Sequence, residues 1–181
     1  MQLATEALEA GVDLIRAAPA DNGTLELIVR RPAVDAREVL EEAELDLAVG
    51  LVGDTWTERP STRTPDSSPH PDMQLNIMSA RAIALVSPDR SRWPLAGDQL
   101  YLDIDLGVAN LPAGTQLAIG EAVIEITPQL HTGCAKFSAR FGPDALRFVN
   151  STVGRELRLR GACAKVVVPG TIRQGDAVRK V

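Results

Sequence analysis

Apolar residues along the chain follow two rhythms. Over residues 3–18, Leu8, Val12 and Ile15 recur at spacings of four and three, with acids and arginine between them, as in a helix that buries one stripe. Pro19 and Ala20-Asp21-Asn22-Gly23 end it. From residue 23 the period shortens to two. Leu25, Leu27 and Val29 share one face of an expected strand that Pro32 closes. Asp35 and Glu38 have the spacing of a capping box, with Val39, Leu40 and Ala43 as the stripe behind them, so residues 35–43 are expected to be helical. Leu45, Leu47 and Val49 alternate, so 44–49 is expected to be extended.

The second half is dominated by alternation. Leu75 and Ile77 mark a strand, a break falls at Ser79-Ala80, and a second strand or short helix runs to Val86. Leu100, Leu102, Ile104 and Leu106 alternate strictly. Leu117 and Ile119 pair with Ala122, Ile124 and Ile126 as a hairpin about Gly120-Glu121. Gly142-Pro143 opens a helix striped by Leu146, Val149 and Val153 and stopped at Gly154. Residues 156–168 read as a long strand and 178–181 as a short one. Strands at roughly 8–12-residue spacing, with two or three short helices, predict a mainly β barrel or sandwich. The expected organisation is a helical arm, 1–22, and one β-barrel domain, 23–181.

Composition narrows this picture. The chain has 181 residues, 45% hydrophobic but only 3% aromatic, so its core is expected to be aliphatic. Residues 1–58 carry 13 acids and four arginines, whereas residues 59–181 carry 11 acids against 15 lysines and arginines. A net charge of −5 with few aromatics argues against nucleic acid, while the basic portion suits a small anion. Of the 19 basic residues 16 are arginine, which fits phosphate or carboxylate recognition and equally a codon bias. No basic-then-apolar leader and no run of roughly 18 apolar residues is visible, so neither a signal peptide nor a membrane partner is expected. Two cysteines make no disulfide framework, and a cytoplasmic setting is expected.

Candidate chemistry gathers at Leu130-His131-Thr132-Gly133-Cys134-Ala135-Lys136-Phe137. Gly133 and Ala135 leave the sulfur little cover. In an extended chain Lys136 would face Cys134 and favour its thiolate, the form that acts as nucleophile or ligand. The competing reading is a small buried cysteine. Cys163, among Ala162, Ala164 and Val166, reads as core. Lys136, Arg140 and Arg147 form either an anion clamp or a solvated face. His131 and His70 lack the companions of a zinc site. Asp54, Asp98 and Asp176 each follow glycine and read as turn caps. Asp54, in Gly50-Leu51-Val52-Gly53-Asp54-Thr55-Trp56, also neighbours a long loop, 57–72, expected to be mobile and to border the site with Arg59 and Arg63.

The order of these turns resembles a known family. Gly50, Gly53 and Asp54 come first, followed by Gly97-Asp98. Leu111-Pro112 with Gly114-Thr115, and Gly133-Cys134 with Lys136-Phe137, come next. Gly161 with Ala164-Lys165-Val166, then Pro169-Gly170 with Ile172, Gly175-Asp176 and Val178, close the series. Jointly they resemble the MOSC domain, the C-terminal module of molybdenum cofactor sulfurases, which also occurs alone. The resemblance spans residues 23–181 and implies a barrel-like fold that binds molybdenum cofactor (molybdopterin) or carries sulfur as a persulfide. Cys134 falls on the family's cysteine and would be the working residue and a molybdenum ligand. Asp54, Arg59, Arg63, His131, Lys136 and Arg140 would surround the cofactor.

The chain lacks the aminotransferase-like portion that loads sulfur, so a sulfur donor or acceptor protein is an implied partner. Thr55-Trp56 stands where many members place an arginine, and Arg59 or Arg63 is expected to substitute. Two alternatives stay open: a non-catalytic module for a small anion or partner protein, and a cofactor-dependent reductase of N-hydroxylated compounds. Whether the chain is an enzyme, and its oligomeric state, stay open as well.

Overall fold

Strict alternation makes strands with one face that must be buried, and in this chain that face turns inward around a closed circle. The computed structural model describes residues 5–181. Its barrel strands are β1 (Gly23–Arg30), β5 (Leu75–Ser79), β6 (Leu100–Asp103), β7 (Gln116–Ile119), β8 (Ala122–Ile126), β9 (Ala162–Val168) and β11 (Ala177–Lys180). They run in the order β1-β11-β7-β8-β9-β5-β6, and the pairing of β6 with β1 closes the circle. β5 and β6 pair in parallel, and the crossover between them carries a helix. A short strand, β2 (Glu38–Leu40), extends β1. β3 (Glu42–Asp46), β4 (Gly50–Leu51) and β10 (Gly170–Arg173) form a separate three-stranded sheet.

Two apolar cores follow. The barrel interior is aliphatic, built by residues such as Leu75, Ile77, Leu100, Leu102, Leu117, Ile124 and Val166. The second core lies outside β1, β5 and β6, beneath six short helices: α1 (Thr5–Ala10), α2 (Val12–Arg16), α3 (Ala80–Val86), α4 (Ala135–Phe141), α5 (Pro143–Asn150) and α6 (Thr152–Glu156). It takes the scarce aromatics, with Trp93, Tyr101, Phe137, Phe141 and Phe148 all buried there. Tyr101 and Trp93 are held in it by donating to the Trp93 and Ser87 carbonyls at 2.7 and 3.0 Å.

The barrel agrees with the pattern of the sequence, but several local expectations do not hold. The strand at residue 23 does not keep Leu25, Leu27 and Val29 on one face. A bulge between Leu25 and Leu27 shifts the parity, so Leu25 and Ile28 enter the barrel while Leu27 and Val29 face the helices. Residues 35–43 are not helical. Asp35 adopts a left-handed φ of 59°, and β2 and β3 follow. Pairing of Val39 with Val29 and of Ala43 with Ile172 overrides the local capping signal. The N-terminal helix is broken at Gly11, where a Cβ would collide with Leu85. Leu8, Val12 and Ile15 are buried as the stripe requires, whereas residues 3 and 4 lie outside the described residues. Residues 152–156 are helical, with Gly154 inside α6, and the last long strand begins only at Ala162.

Candidate functional site

Two buried arginine–aspartate pairs frame the site. Arg31 follows the last residue of β1, just before Pro32. Its Nε and Nη2 donate to Asp54 at 2.8 and 2.7 Å, its backbone N–H to the same carboxylate at 3.0 Å, and its Nη1 to the Gly97 carbonyl at 3.0 Å. Asp54 also accepts from the Trp56 N–H at 2.9 Å, which caps the turn Thr55–Glu58 as the Gly-Asp pattern suggested. A one-sided loss here would leave an uncompensated buried charge.

The second pair joins the residues just before β9 and just before β6. Arg160 Nη1 donates to both oxygens of Asp98, at 3.0 and 2.7 Å, and its Nη2 to the Ala96 carbonyl at 2.9 Å. His131 Nε2 lies 2.7 Å from the same carboxylate. Asp98 is therefore not the expected turn cap, since the partners of its carboxylate among the described residues are the side chains of Arg160 and His131. Burial raises its carboxyl, but Arg160 and His131 outweigh burial and hold it at about 2. With that carboxylate ionised, His131 donates through Nε2. Burial and the Arg160 charge lower the His131 pKa despite the pull of Asp98, so the ring is neutral near pH 7. Gly97 sits between the two pairs with φ 92°, where a side chain would be strained.

The arginines of these pairs help to line a cavity of about 730 Å³. Arg31, Arg37, Arg59, Lys136, Arg140 and Arg160 line it, opposed by Asp35 and Glu58 alone among acids. Arg140 reaches Asp35 at 3.1 Å, and Arg31 and Arg160 are neutralised by their aspartates. Arg37, Arg59 and Lys136 have no carboxylate partner among the described residues. Arg37 donates to the Pro94 and Ala36 carbonyls, and burial together with Arg140 and Arg31 lowers its pKa. The cavity thus carries unbalanced positive charge, and the Arg160 Nε is buried with no hydrogen-bond partner among the described residues. Arg160 also stacks over Phe137, its guanidinium carbon 5.0 Å from the ring centroid.

Cys134 lines this cavity and is exposed. It does not end a strand. It is the N-cap of α4, with φ −127° and ψ 178° and no side-chain cap hydrogen bond. The expected extended alignment with Lys136 is replaced by a helix start, yet both residues still face the cavity. Cys163 is fully buried in β9 beside Asn76, and burial pushes its thiol up to about 12.

The other expected site residues divide. Arg59, His131 and Arg140 line the cavity, and loop 57–72 supplies Glu58, Arg59 and Pro60. Asp54 stands behind the wall and acts through Arg31. Arg63 instead binds Gln129 Oε1 and the Leu130 carbonyl at 3.1 and 3.4 Å, tying the loop to the segment that leads to Cys134. Arg147 turns away to pair with Asp144. Arg31, Arg37 and Arg160 went unread in the sequence. The available signal was Arg-Arg-Pro at a strand end and an arginine beside Gly161 at a strand start, both weak without the fold. The turn lacking the family's arginine does hold one in space, since Asp54 of that turn binds Arg31.

No helix among the described residues is long and apolar enough to cross a membrane. No three His, Cys, Asp or Glu among them converge as a metal cage. In fold, the chain is similar to the YuaD protein of Bacillus subtilis, with a TM-score of 0.66 at 18% identity, covering 87% of this chain and 94% of that one. It is also similar to YiiM of Escherichia coli, with a TM-score of 0.57 at 19% identity, covering 87% and 69%. YiiM of Geobacillus stearothermophilus gives 0.54 at 12% identity, covering 91% and 74%. No curated protein matches the chain in sequence. The family model of the MOSC domain matches residues 71–179, which include β5 to β9, Asp98, Cys134 and Arg160, and the chain belongs to that family, one associated with molybdenum cofactor and sulfur chemistry.

Proposed function

We propose that the cationic cavity binds a molybdopterin-type ligand and that Cys134 is its working residue, as a soft ligand to molybdenum or as a sulfur carrier. One observation carries the reading: an accessible thiol opens onto a cavity whose arginines and lysine outnumber its acids. The residues fit such a group. Arg37, Arg59 and Lys136 have charge to offer an anion, and the Arg160 Nε is a buried donor without an acceptor among the described residues. A thiolate is a suitable ligand for a soft metal, whereas the other polar side chains lining the cavity offer only nitrogen and oxygen.

On this reading Arg37, Arg59, Lys136 and Arg140 hold the anionic part of the ligand. Asp54 and Asp98 fix Arg31 and Arg160 so that the wall does not collapse when charge enters. The bound group would supply a redox-active metal. As a carrier, the Cys134 sulfur attacks the terminal sulfur of a donor protein's persulfide. The donor's S–S bond breaks, the donor leaves as a thiolate, and Cys134 keeps the transferred sulfur.

The test is purification of wild type, Cys134→Ser and Cys163→Ser from cells that make the cofactor. Molybdenum, pterin fluorescence and protein-bound persulfide are then measured. Loss in Cys134→Ser alone is expected. Full metal and full persulfide in Cys134→Ser would remove the sulfur from the mechanism and leave a non-catalytic anion site.

A further inference from the structure

α4 holds Cys134 from its carbonyl side, where Ser138 donates its N–H to the Cys134 carbonyl at 3.0 Å and Phe137 and Phe141 are buried in the outer core. The helix has seven residues, and its N-cap makes no side-chain bond. The preceding residue, however, is held from both sides. Gly133 donates its N–H to Asn150 Oδ1 at 2.9 Å, and Asn150 Nδ2 donates to the Gly133 carbonyl at 3.1 Å. One carboxamide therefore pairs with both polar groups of one backbone residue, as a neighbouring strand would. The approach is close enough that a Cβ on Gly133 would lie 2.7 Å from Leu146 Cδ1 and 3.0 Å from Val149 Cγ2. Asn150 is the last residue of α5, whose Ala145, Phe148 and Val149 are buried in the outer core. On the N-terminal side of Cys134 the reference for the turn is thus α5, and its polar contact with the turn is Asn150.

We infer that Asn150 is the positioning residue for Cys134, clamping the Gly133 backbone so that the thiol is presented at the rim of the cationic cavity. The chemistry requires both halves of the amide. A carboxylate in its place accepts from the Gly133 N–H but faces the Gly133 carbonyl with another acceptor. An alanine leaves both backbone groups without that partner and frees the turn to swing. The inference borrows from the proposed function only the naming of Cys134 as the working group, and the placement itself can be measured without cofactor.

Two alkylating reagents of opposite electrostatic behaviour read the position. Iodoacetate is an anion and iodoacetamide is neutral. A thiol held at the mouth of a positive cavity favours the anion relative to a free thiol, by up to about tenfold at low salt. The rate ratio at Cys134, normalised to glutathione, is measured by mass spectrometry in wild type, Asn150→Ala and Asn150→Asp, with Cys163 as the internal reporter of unfolding. Global destabilisation speeds both reagents and labels Cys163, but it does not select between charges.

The expected result is a ratio above that of glutathione in wild type and a fall of about fivefold in Asn150→Ala, with Cys163 unlabelled. A smaller fall is expected in Asn150→Asp. An unchanged ratio in Asn150→Ala with Cys163 protected overturns the inference. If that variant labels Cys163, Asn150→Asp decides alone, and an unchanged ratio there overturns it too. Full metal and full persulfide in Cys134→Ser, with the ratio still falling in Asn150→Ala, would reject the proposed function and leave the clamp standing.

Discussion

The chain contains the same tripeptide twice, and the fold makes opposite objects of the two copies. Cys134-Ala135-Lys136 starts a helix at the edge of a cavity, and Cys163-Ala164-Lys165 lies in the middle of β9. Cys134 is exposed, whereas Cys163 has no exposed surface. Lys136 lines the cavity, while Lys165 lies 3.4 Å from both Asp72 and Glu125. In a strand, alternate residues point to opposite sides, so Ala164 enters the barrel while Cys163 packs under Asn76. At the helix start no such layer covers the sulfur. The element around a cysteine, and what packs over that element, decides whether the cysteine can react.

The largest expected effect tests this contrast directly. With its thiol near 12, Cys163 is about one part in ten thousand thiolate at pH 8, and burial blocks access besides. Cys134 should be alkylated by iodoacetamide more than about a thousandfold faster than Cys163 in the native protein. Peptide mapping over a time course measures this. Comparable rates at the two cysteines would show that the twin sites do not differ as the fold implies.

The two regions meet at Arg160, which enters β9 beside Gly161 and reaches across to Asp98 under His131. Arg160→Met keeps the bulk over Phe137 but leaves the Asp98 carboxylate buried without its main partner. A loss of about 3–5 kcal/mol in urea unfolding is expected. A loss below about 1 kcal/mol would mean that the Asp98 site is wetter than the structure has it.

How far these features were legible differs between the twins as well. Cys163 could be read as buried because it lies within a locally apolar strand, although Ala162, Ala164 and Val166 turn into the barrel and Cys163 points to the other face beside Asn76. The barrel was legible for the same reason, since alternation such as Leu100 to Ile104 is local. The cavity was not. Asp98 and Arg160 are 62 positions apart, and Arg31 and Asp54 are 23 apart, so only the tertiary fold brings them together. The bulge in β1 and the strand at Val39 were missed because pairing across the sheet overrides local spacing. The motif order that resembled the MOSC domain located Cys134 before any geometry did, and it could not place the cysteine at a helix start or supply the arginines.

Acid should act on the Cys134 side of the contrast first. Asp98 falls from its ordinary 3.8 to about 2 on folding, so the unfolded chain binds the proton more tightly. The stability it contributes is present above pH 4 and is lost as pH falls toward 2, by about 2 kcal/mol in all. His131 is also lowered on folding from 6.5, so its contribution is present above pH 6.5 and declines below it. Stability should therefore fall monotonically with acid, beginning near pH 6.5. In His131→Gln the early part of the decline should vanish while the part below pH 4 remains. Thermal unfolding measured across pH 2 to 8 for both proteins decides this, and a decline beginning only below pH 4 in wild type would contradict the depressed histidine.

The smallest effect separates the twins by stability alone. Serine is nearly the size of cysteine but must satisfy a hydroxyl. At Cys163 the hydrogen-bond partner of the sulfur is Asn76 Oδ1, 3.7 Å away, too far for a good O–H donation without a shift. Cys163→Ser should therefore lose about 1–2 kcal/mol, the usual penalty for a poorly satisfied buried hydroxyl. At Cys134 the hydroxyl would be solvated, and serine is a favoured N-cap, so Cys134→Ser should change stability by less than about 0.5 kcal/mol or raise it slightly. Equilibrium denaturation of both variants at pH 7 measures the difference. Equal losses would mean that the exposed cysteine is packed in solution, and would weaken the claim that its sulfur is open to a ligand.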